Sequence, residues 1–358
     1  MLTRLSINHF RNISELSITP NPHFNIIYGP NGAGKTSILE AIYMLGLGRS
    51  FRNRSVQRIV KYGELQLTVF GLLENTSGQA IPIGIEKQKN GQSRIRIDQK
   101  DILSAAVLAE LLPVQIVNPD SYQLLDAGPK FRRQFLDWGL FHVEQRFMEE
   151  WQRLRRVLMQ RNAALKSRMT RREVQIWDPE LIAASEVIET MRREYFQQFK
   201  PIFEQTFSKI DSIAGITLSY KQGWSEEQSL EEVLAAGFSR DFELGYTQYG
   251  PQRTDLQVQI NKVPVQDVLS RGQQKSVVYA LRLAQGLLLR QSTGKHCVFL
   301  LDDLTSELDN TRISRMIELL KEIESQVYIT GVRLDGLEGL VEDSQAQCST
   351  WNIESMVM

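Results

Sequence analysis

The segment GPNGAGKT at residues 29–36 constrains the fold of this 358-residue chain more than any other feature. It satisfies the pattern G-x-x-x-x-G-K-[ST], it follows the apolar segment FNIIYG, and it opens the helix-like segment TSILEAIYMLGLG. A strand, a glycine-rich turn and a helix in this order predict a phosphate-binding loop, because glycines let backbone N–H groups face phosphate oxygens. The alternative is an ordinary glycine-rich turn before a helix, but that alternative does not require every fixed position of the pattern.

The same segment predicts which residues would hold a nucleoside triphosphate. We expect Lys35 to reach the β- and γ-phosphates and the Thr36 hydroxyl to ligate Mg²⁺. The predicted ATP-binding residues are Gly29, Pro30, Asn31, Gly32, Ala33, Gly34, Lys35 and Thr36.

A second acidic motif lies far along the chain, in VFLLDD at residues 298–303. Four apolar residues predict a central strand, and Asp302 at its carboxyl end is expected to hold Mg²⁺ through water. Asp303 is then placed to polarise the attacking water as a general base. The alternative is a core strand with an acidic cap, which becomes less plausible beside a phosphate-binding loop.

Composition and charge exclude several classes of protein. Cys297 and Cys348 are the only cysteines, so neither a disulfide framework nor a cysteine-rich zinc site is expected. We find no signal-peptide pattern and no apolar run of about 20 residues, and we therefore expect a cytoplasmic protein without a membrane span. The formal net charge is +0, so binding of a polyanion would have to depend on local clusters of basic residues.

Hydrophobic patterning predicts an α/β fold that is interrupted by a helical region. Short strand-like segments fill the chain up to PVQIVNP at residues 113–119, and strands resume with ITLSY at 216–220. The intervening stretch, from about 129 to 212, is rich in Arg and Glu and predicts long helices broken near WDP at 177–179. We predict three segments, at residues 1–120, 121–240 and 241–358, of which the middle one is a helical arm.

The segment LSRGQQK at residues 269–275 predicts a second helix start that faces an anion. One phosphate-binding loop is already present, so a second is best explained if it contacts the γ-phosphate of another copy of the chain. The order of the phosphate-binding loop, LSRGQ, LLDD and SELD resembles ATP-binding-cassette ATPases. The resemblance implies a signature that acts in trans (Ser270, Arg271, Gly272 and Gln273) and a D-loop that contains Ser306 and Asp309.

More specifically, the chain resembles the RecF family of the SMC/Rad50-like branch. The resemblance lies in LTRLSINHFRNI, GPKFRRQFLDWGLFH, YGPQRTDL and LSRGQQK. It implies an ATPase head interrupted by a helical arm, slow ATP hydrolysis and an ATP-dependent homodimer. It also implies DNA binding near gaps and cooperation with RecR and RecO in loading RecA. The alternatives are another SMC/Rad50-like ATPase, a transporter ATPase, or an adaptor with a nucleotide fold that hydrolyses nothing. A transporter ATPase would have a shorter spacing before the signature and a switch histidine.

Two positions depart from the usual cassette ATPase pattern, and a third is ambiguous. Asp303 stands where many of these ATPases have Glu, which agrees with slow turnover, and Thr330 is the candidate at the switch position. Gln115 is the candidate for the glutamine that contacts Mg²⁺ and water. It could equally be a glutamine buried in a strand, and the sequence leaves both interpretations open.

Two basic clusters are candidate DNA contacts. Arg49, Arg52, Arg54 and Arg58 follow the predicted phosphate-loop helix, and their proximity to ATP would let nucleotide state control DNA binding. The stretch from Arg146 to Glu173 holds nine basic and three acidic residues, but a solvated helix face explains it equally well. Neither contains a base-reading motif, so we expect binding that is independent of sequence and sensitive to salt.

Overall fold

A computed structural model describes residues 1–53, 55–75, 77–334, 337 and 348–355, without the side chains of residues 306, 307 and 355. The chain forms two compact units. The first unit comprises Met1–Ser121, Lys209–Asp211 and Lys275–Met358, and the second comprises Tyr122–Ser208 and Ser212–Gln274. No helix in the described part of the chain is long and apolar enough to cross a membrane.

The strands and helices follow in chain order, and two of the helices, α7 and α10, contain residues of both units. The strands are β1 (Leu2–Phe10), β2 (Ile13–Ile18), β3 (Phe24–Tyr28), β4 (Gln66–Glu74), β5 (Ala80–Gln88), β6 (Ser93–Ile97), β7 (Lys100–Asp101), β8 (Val114–Val117), β9 (Ile216–Lys221), β10 (Asp255–Ile260), β11 (Val263–Pro264), β12 (Val298–Leu301), β13 (Gln326–Gly331) and β14 (Cys348–Asn352). The helices are α1 (Lys35–Leu47), α2 (Ala106–Leu111), α3 (Gln123–Asp126), α4 (Pro129–Val143), α5 (Phe147–Lys166), α6 (Arg171–Gln175), α7 (Asp178–Ile210), α8 (Leu230–Leu244), α9 (Val265–Val268), α10 (Arg271–Thr293), α11 (Leu304–Glu307) and α12 (Asn310–Glu322).

A parallel sheet of order β14-β3-β13-β12-β8 forms the centre of the first unit. Its three inner strands are almost wholly buried, which is why apolar residues lie on both faces of each strand instead of alternating with polar ones. Leu301 pairs with Val117 on one side and with Ile329 on the other, so β8, β12 and β13 end at the same edge. That edge is where parallel α/β sheets hold their ligands.

An antiparallel sheet of order β2-β1-β4-β5-β6-β7 forms the rest of the first-unit framework. Helix α1 packs against strands of both sheets, and Ile42, Met44 and Leu45 on it are fully buried. The helix that follows the phosphate-binding loop is therefore fixed on two sides by the core.

The second unit combines helices with the small antiparallel sheet β11-β10-β9. Helix α4 packs on β10, and α7 continues through Pro201. Phe199, Phe203 and Phe207 stack in succession along α7 at ring separations of 6.4 and 6.0 Å. Their spacing of four residues places the rings on one face of the helix, where they form a buried apolar stripe.

The predicted strands and the helical break near residues 177–179 agree with the structure, while β14 and α8 were not anticipated. The first expected boundary, after residue 120, lies one residue from the observed division. The second needs correction, because residues 241–274 group with the second unit rather than with the third predicted segment. The physical reason is that β10 pairs with β9 along its whole length.

Candidate nucleotide-binding site

The phosphate-binding loop connects β3 to α1 through three glycines with positive φ. The φ values are 142° at Gly29, 84° at Gly32 and 110° at Gly34, and L-residues with a side chain rarely adopt such values. At Gly34 a Cβ would also lie 2.8 Å from the Asn12 amide nitrogen. The sequence pattern is therefore required by backbone geometry at this loop.

Lys35 begins helix α1 and directs its ammonium group back into the loop. Its Nζ donates hydrogen bonds to the carbonyl oxygens of Gly29 at 2.6 Å and Pro30 at 2.9 Å. Burial lowers the pKa of Lys35, and the nearby Asp303 and Asp302 oppose that shift. A polyphosphate would supply the negative charge that stabilises the buried ammonium ion.

Thr36, Asp302 and Thr330 bring three elements together at the edge of the parallel sheet. The Thr36 hydroxyl donates to the Asp302 carboxylate at 3.0 and 3.1 Å, and the Thr330 hydroxyl donates to the same carboxylate at 2.7 Å. Burial raises the pKa of Asp302, while the two hydroxyl donors act in the opposite direction. A hydroxyl oxygen beside a carboxylate matches the oxygen ligands that Mg²⁺ prefers, so these residues fit that ion.

Asp303 lies at the turn between β12 and α11. Its φ is 55°, in the left-handed region, and its backbone N–H donates to the Thr330 hydroxyl at 2.8 Å. Thr330 thus links both aspartates to β13. The structure therefore brings Lys35, Thr36, Asp302, Asp303 and the candidate switch residue Thr330 into one site.

Asn12 and Arg11 in the β1–β2 turn support this site, and sequence reasoning missed both. Asn12 accepts from the Ser37 hydroxyl at 3.0 Å and donates to the Gly32 carbonyl at 3.3 Å. Arg11 forms two hydrogen bonds, at 2.7 and 3.0 Å, with the fully buried carboxylate of Glu40. Glu40 lies in an otherwise apolar helical segment, and a buried charge requires a partner. That position was the signal in the sequence that could have pointed to a partner such as Arg11.

A cavity of about 990 Å³ extends from the phosphate-binding loop and is lined by most of these groups. Its lining includes Asn31, Gly32, Gly34, Lys35, Thr36, Asp302, Asp303 and Thr330 from the predicted site, together with Arg11, Asn12, Ser37, Gln57, Val60, Lys61, Tyr62, Lys89 and Pro119. Ala33 packs against the core instead, and Gly29 and Pro30 contribute the carbonyl groups that hold Lys35.

The first basic cluster lies partly in this cavity. Arg52 and Arg58 line it, whereas Arg49 is exposed and is not among the lining residues, and Arg54 lies outside the described residues. Arg52 is also near enough to Asp302 to oppose the rise in pKa that burial causes there. Reversing the charge at Arg52 would therefore disturb the nucleotide cavity as well as any DNA contact, and DNA binding by this cluster stays a prediction.

Gln115 lies in β8 but is not brought to this cluster. It is 1% exposed, donates to Gln285 at 2.9 Å and accepts from Arg282 at 2.8 Å. It pairs with Phe299, three residues before Asp302. These contacts favour the interpretation as a glutamine buried in a strand, and they give no support to a catalytic role.

The predicted signature forms the start of the long helix α10. The Ser270 N–H donates to the Gln273 side chain at 2.9 Å, and the Gln273 N–H approaches the Ser270 hydroxyl at 3.4 Å, which is a reciprocal capping arrangement. Arg271 lies over the Tyr122 ring at 5.2 Å, and a Cβ at Gly272 would meet no atom within 4 Å. An open helix N-terminus with a glycine in its first turn is suited to approach by an anion.

Of the two predicted D-loop residues, Asp309 caps helix α12. Its carboxylate accepts from the Arg312 N–H at 3.0 Å and pairs with the Arg312 guanidinium at 2.5 Å. The backbone hydrogen bond, the largest cause, lowers the pKa of Asp309. Ser306 lies within α11, and its side chain is outside the described part of the structure. The D-loop assignment stays a prediction.

A phosphate-binding loop and an acidic strand on one parallel sheet, with a helical region inserted between them, define an ATPase of the ATP-binding-cassette type. A solved structure shares the fold. An SMC head domain bound to part of ScpA matches with a TM-score of 0.60 at 15% identity, covering 95% of this chain and 91% of that chain.

Closer comparisons identify the family. The RecF/RecN/SMC N terminal domain family model matches residues 1–349. The DNA replication and repair protein RecF of Pseudomonas putida (strain GB-1) is 47% identical over 332 residues, with 92% of this chain and 90% of the relative covered. The RecF of Pseudomonas fluorescens (strain SBW25) is 48% identical with the same coverage. The chain belongs to the RecF family.

Two solved RecF structures, described as the recombination mediator protein in the RecFOR pathway, have the same fold as this chain. One contains ATP and matches with a TM-score of 0.82 at 25% identity, covering 98% of this chain and 95% of that chain. The other, RecF-ATPrS, matches with a TM-score of 0.83 at 24% identity, covering 99% of this chain and 96% of that chain.

Proposed function

We propose that this chain is an ATP-switched DNA-binding protein of recombinational repair. ATP binds in the large cavity, Mg²⁺ is held by Thr36 and Asp302, and two copies close on two nucleotides with each signature facing its partner's phosphate-binding loop. The contact between Thr36 and Asp302, which joins the phosphate-binding loop to the acidic strand, carries the proposal. Because RecF relatives are named for DNA replication and repair and for the RecFOR pathway, we also propose DNA, RecR and RecO as partners.

The chemistry at the site follows from the positions of these side chains. The ammonium group of Lys35 would exchange its two carbonyl acceptors for phosphate oxygens, and the carboxylate of Asp303 would accept a proton from the attacking water. The bound metal ion would neutralise charge on the phosphates. With Asp as the base and the remaining contacts supplied by a second copy, we propose slow hydrolysis that DNA stimulates.

Replacing Asp303 with Asn is expected to abolish ATP hydrolysis and to retain an ATP-bound dimer. The amide has the same shape and tolerates the left-handed backbone, but it cannot accept the proton. Hydrolysis is measured with and without gapped and duplex DNA, and association is measured by light scattering with ATP.

Asp98→Asn is the matched control, because Asp98 is exposed and has a φ of 48°. It makes the same chemical change in a similar backbone conformation outside the cavity lining. The proposed base is wrong if Asp303→Asn hydrolyses ATP as fast as this control. The ATP-dependent dimer is wrong if both Asp303→Asn and the wild-type protein remain monomeric with ATP.

Tyr62 is proposed to contact the adenine base. The ring is 98% exposed, lines the cavity and stands on a turn closed by a hydrogen bond from the Glu64 N–H to the Lys61 carbonyl at 3.1 Å. Gly63 has a φ of 87°, which the third position of a type II turn requires, and the Lys61 N–H is bonded to the His9 carbonyl at 2.8 Å. A large exposed ring on a fixed turn beside a cavity suits stacking against a base.

Tyr62→Ala is expected to weaken ATP binding about tenfold, because stacking of a base on an aromatic ring contributes about 1–3 kcal/mol. Binding of inorganic tripolyphosphate with Mg²⁺ should not change, since that ligand has no base. Titration calorimetry with both ligands separates the two effects. Tyr62→Phe keeps the ring, and Leu65→Ala removes a neighbouring exposed apolar side chain outside the cavity lining. Equal losses for ATP and tripolyphosphate would contradict stacking.

A further inference from the structure

Several basic residues of the stretch from Arg146 to Glu173 already have acidic or aromatic partners within the second unit. Acidic groups or aromatic rings are contacted by Arg146 (Glu150), Arg153 (Glu150 and Glu180), Arg161 (Asp178 and Asp241), Arg168 (the Phe242 ring) and Arg171 (the Phe238 ring). Arg155 also contacts an aromatic ring, but unlike these residues it lines a cavity. It is exposed on α5, and its guanidinium lies over the Trp151 ring at 5.4 Å from the ring centre.

Arg155 and Trp151 line a cavity of about 300 Å³ in the second unit. The cavity is bounded by side chains from α4, α5 and α7 and by the segment that follows Gly250. The other lining residues are Lys130, Arg133, Gln134, Asp137, Leu154, Arg192, Pro251 and Gln252. Four of these ten residues are basic, and the volume lies at the lower end of the range for small-molecule sites.

The positive charge of this cavity is only partly compensated. Asp137 is the one acidic residue in the lining, and Arg192 contacts both of its oxygens, at 2.8 and 3.1 Å. In the described part of the chain, no carboxylate lies within ion-pair distance of Lys130, Arg133 or Arg155. Lys130, Arg133 and Arg155 therefore line a concave site without a carboxylate partner of their own in the part of the chain that the structure describes.

Arg133 is the most constrained of the three cations. It is half-buried and donates one hydrogen bond, to the Thr254 carbonyl oxygen at 2.8 Å. Burial and the neighbouring Arg192 lower the pKa of Arg133, while Asp255 and Asp137 oppose that shift. A bound anion would favour the charged form and so oppose the lowering of this pKa.

The cavity also contains features suited to a base. The planar Trp151 ring and the Arg155 guanidinium offer stacking surfaces, as in sites that hold unpaired nucleotides. The side-chain oxygen of Gln252, a lining residue, is buried and accepts no hydrogen bond in the described structure. A free phosphate or an acidic side chain would occupy the cations but leave this stacking surface unused.

We propose that this cavity binds one unpaired nucleotide of a DNA strand, with its phosphate on Lys130, Arg133 and Arg155 and its base beside Trp151. The inference rests on the proposed function, in which the chain binds DNA, and it locates one part of that binding in the second unit. A base-paired nucleotide cannot place its base there without leaving the duplex. The cavity would therefore distinguish single-stranded DNA at a gap from the adjoining duplex.

The test uses the full chain with Arg133→Gln and Arg155→Gln combined. Binding of dye-labelled oligothymidylate and of a duplex of equal length is measured by anisotropy over a range of salt concentrations. We expect about tenfold weaker binding of the single strand and a salt slope lower by about 0.7 for each lost phosphate contact. Duplex and ATP affinities should change less than twofold. Arg156→Gln is the control, because Arg156 is exposed on the same helix but is not in the cavity lining.

Three outcomes would overturn the inference. The double variant could bind the single strand as tightly as Arg156→Gln does. The double variant could lose binding of an oligoglutamate peptide while its DNA binding is retained, which would assign the cavity to an acidic protein segment. The wild-type chain could bind no DNA, which would overturn the proposed function as well. If the double variant unfolds, Arg155→Gln alone is tested, since Arg155 is exposed, and about half of the effect on slope is expected.

Discussion

Replacement of Lys35 with Met is expected to weaken ATP binding by about 100-fold and to eliminate hydrolysis. The ammonium group already lies inside the loop, 2.6 Å from the Gly29 carbonyl, and a hydrogen bond to a charged group contributes about 1.5–3 kcal/mol. A loss of about 3 kcal/mol corresponds to about 100-fold in Kd. The measurement is titration calorimetry with ATP and Mg²⁺.

Lys100→Met is the control for this change, because Lys100 is exposed in β7 and does not line the cavity. Lys35→Arg should retain part of the binding and lose hydrolysis, since the wider guanidinium misplaces the γ-phosphate. Unchanged turnover in Lys35→Met would disprove the assignment of the phosphate-binding loop.

A mixture of Lys35→Met and Ser270→Arg chains is expected to recover about a quarter of wild-type ATPase activity, although each variant is inactive alone. In a mixed dimer both changes fall in one composite site, and the other site has an intact loop and an intact signature. Equal mixing gives about half mixed dimers with one of two sites active. Strong coupling between the sites would lower the recovery. ATPase activity is measured after subunit exchange has been verified with labelled chains.

The matched control mixes Lys35→Met with Asp302→Asn. Both changes lie in the same first-unit site, so a mixed dimer carries one change in each composite site and should recover no activity. Ser270→Arg also removes the helix cap, which contributes about 1 kcal/mol, so its thermal unfolding midpoint must be compared with that of the wild type. An active Ser270→Arg homodimer would exclude the role in trans.

The nucleotide site could be predicted in large part because its chemistry depends on backbone geometry. The glycines of the loop have φ values that L-residues avoid, so glycine is required at fixed positions of the sequence. Strand β12 is buried on both faces, so its sequence is a short apolar run. The order in which the parallel strands pair is not local. Nothing in the sequence of β13 alone indicates that Thr330 would form hydrogen bonds with both Asp302 and Asp303. These hydrogen bonds arise because β12 and β13 are neighbours in the parallel sheet.

Polar contacts between distant segments account for most of what sequence reasoning missed. Asn12 and Ser37 meet because β1 packs beside α1, and the bond between Gln115 and Gln285 joins residues 170 positions apart. Neither pair has a characteristic spacing along the chain. The partners of charged side chains also have no characteristic spacing along the chain. The Arg-rich stretch suggested one basic surface, but folding pairs Arg161 with Asp241 in the interior and leaves Arg155 at a cavity.

The left-handed backbone at Asp303 limits how this site could change by substitution. Asp and Asn enter that region at little cost, whereas most L-residues are penalised there by about 1–2 kcal/mol. A glutamate at this position would extend the carboxylate by one methylene group but would have to adopt a backbone that disfavours it. The left-handed backbone of the turn after β12 therefore favours the short Asp side chain at position 303, whatever its role in hydrolysis.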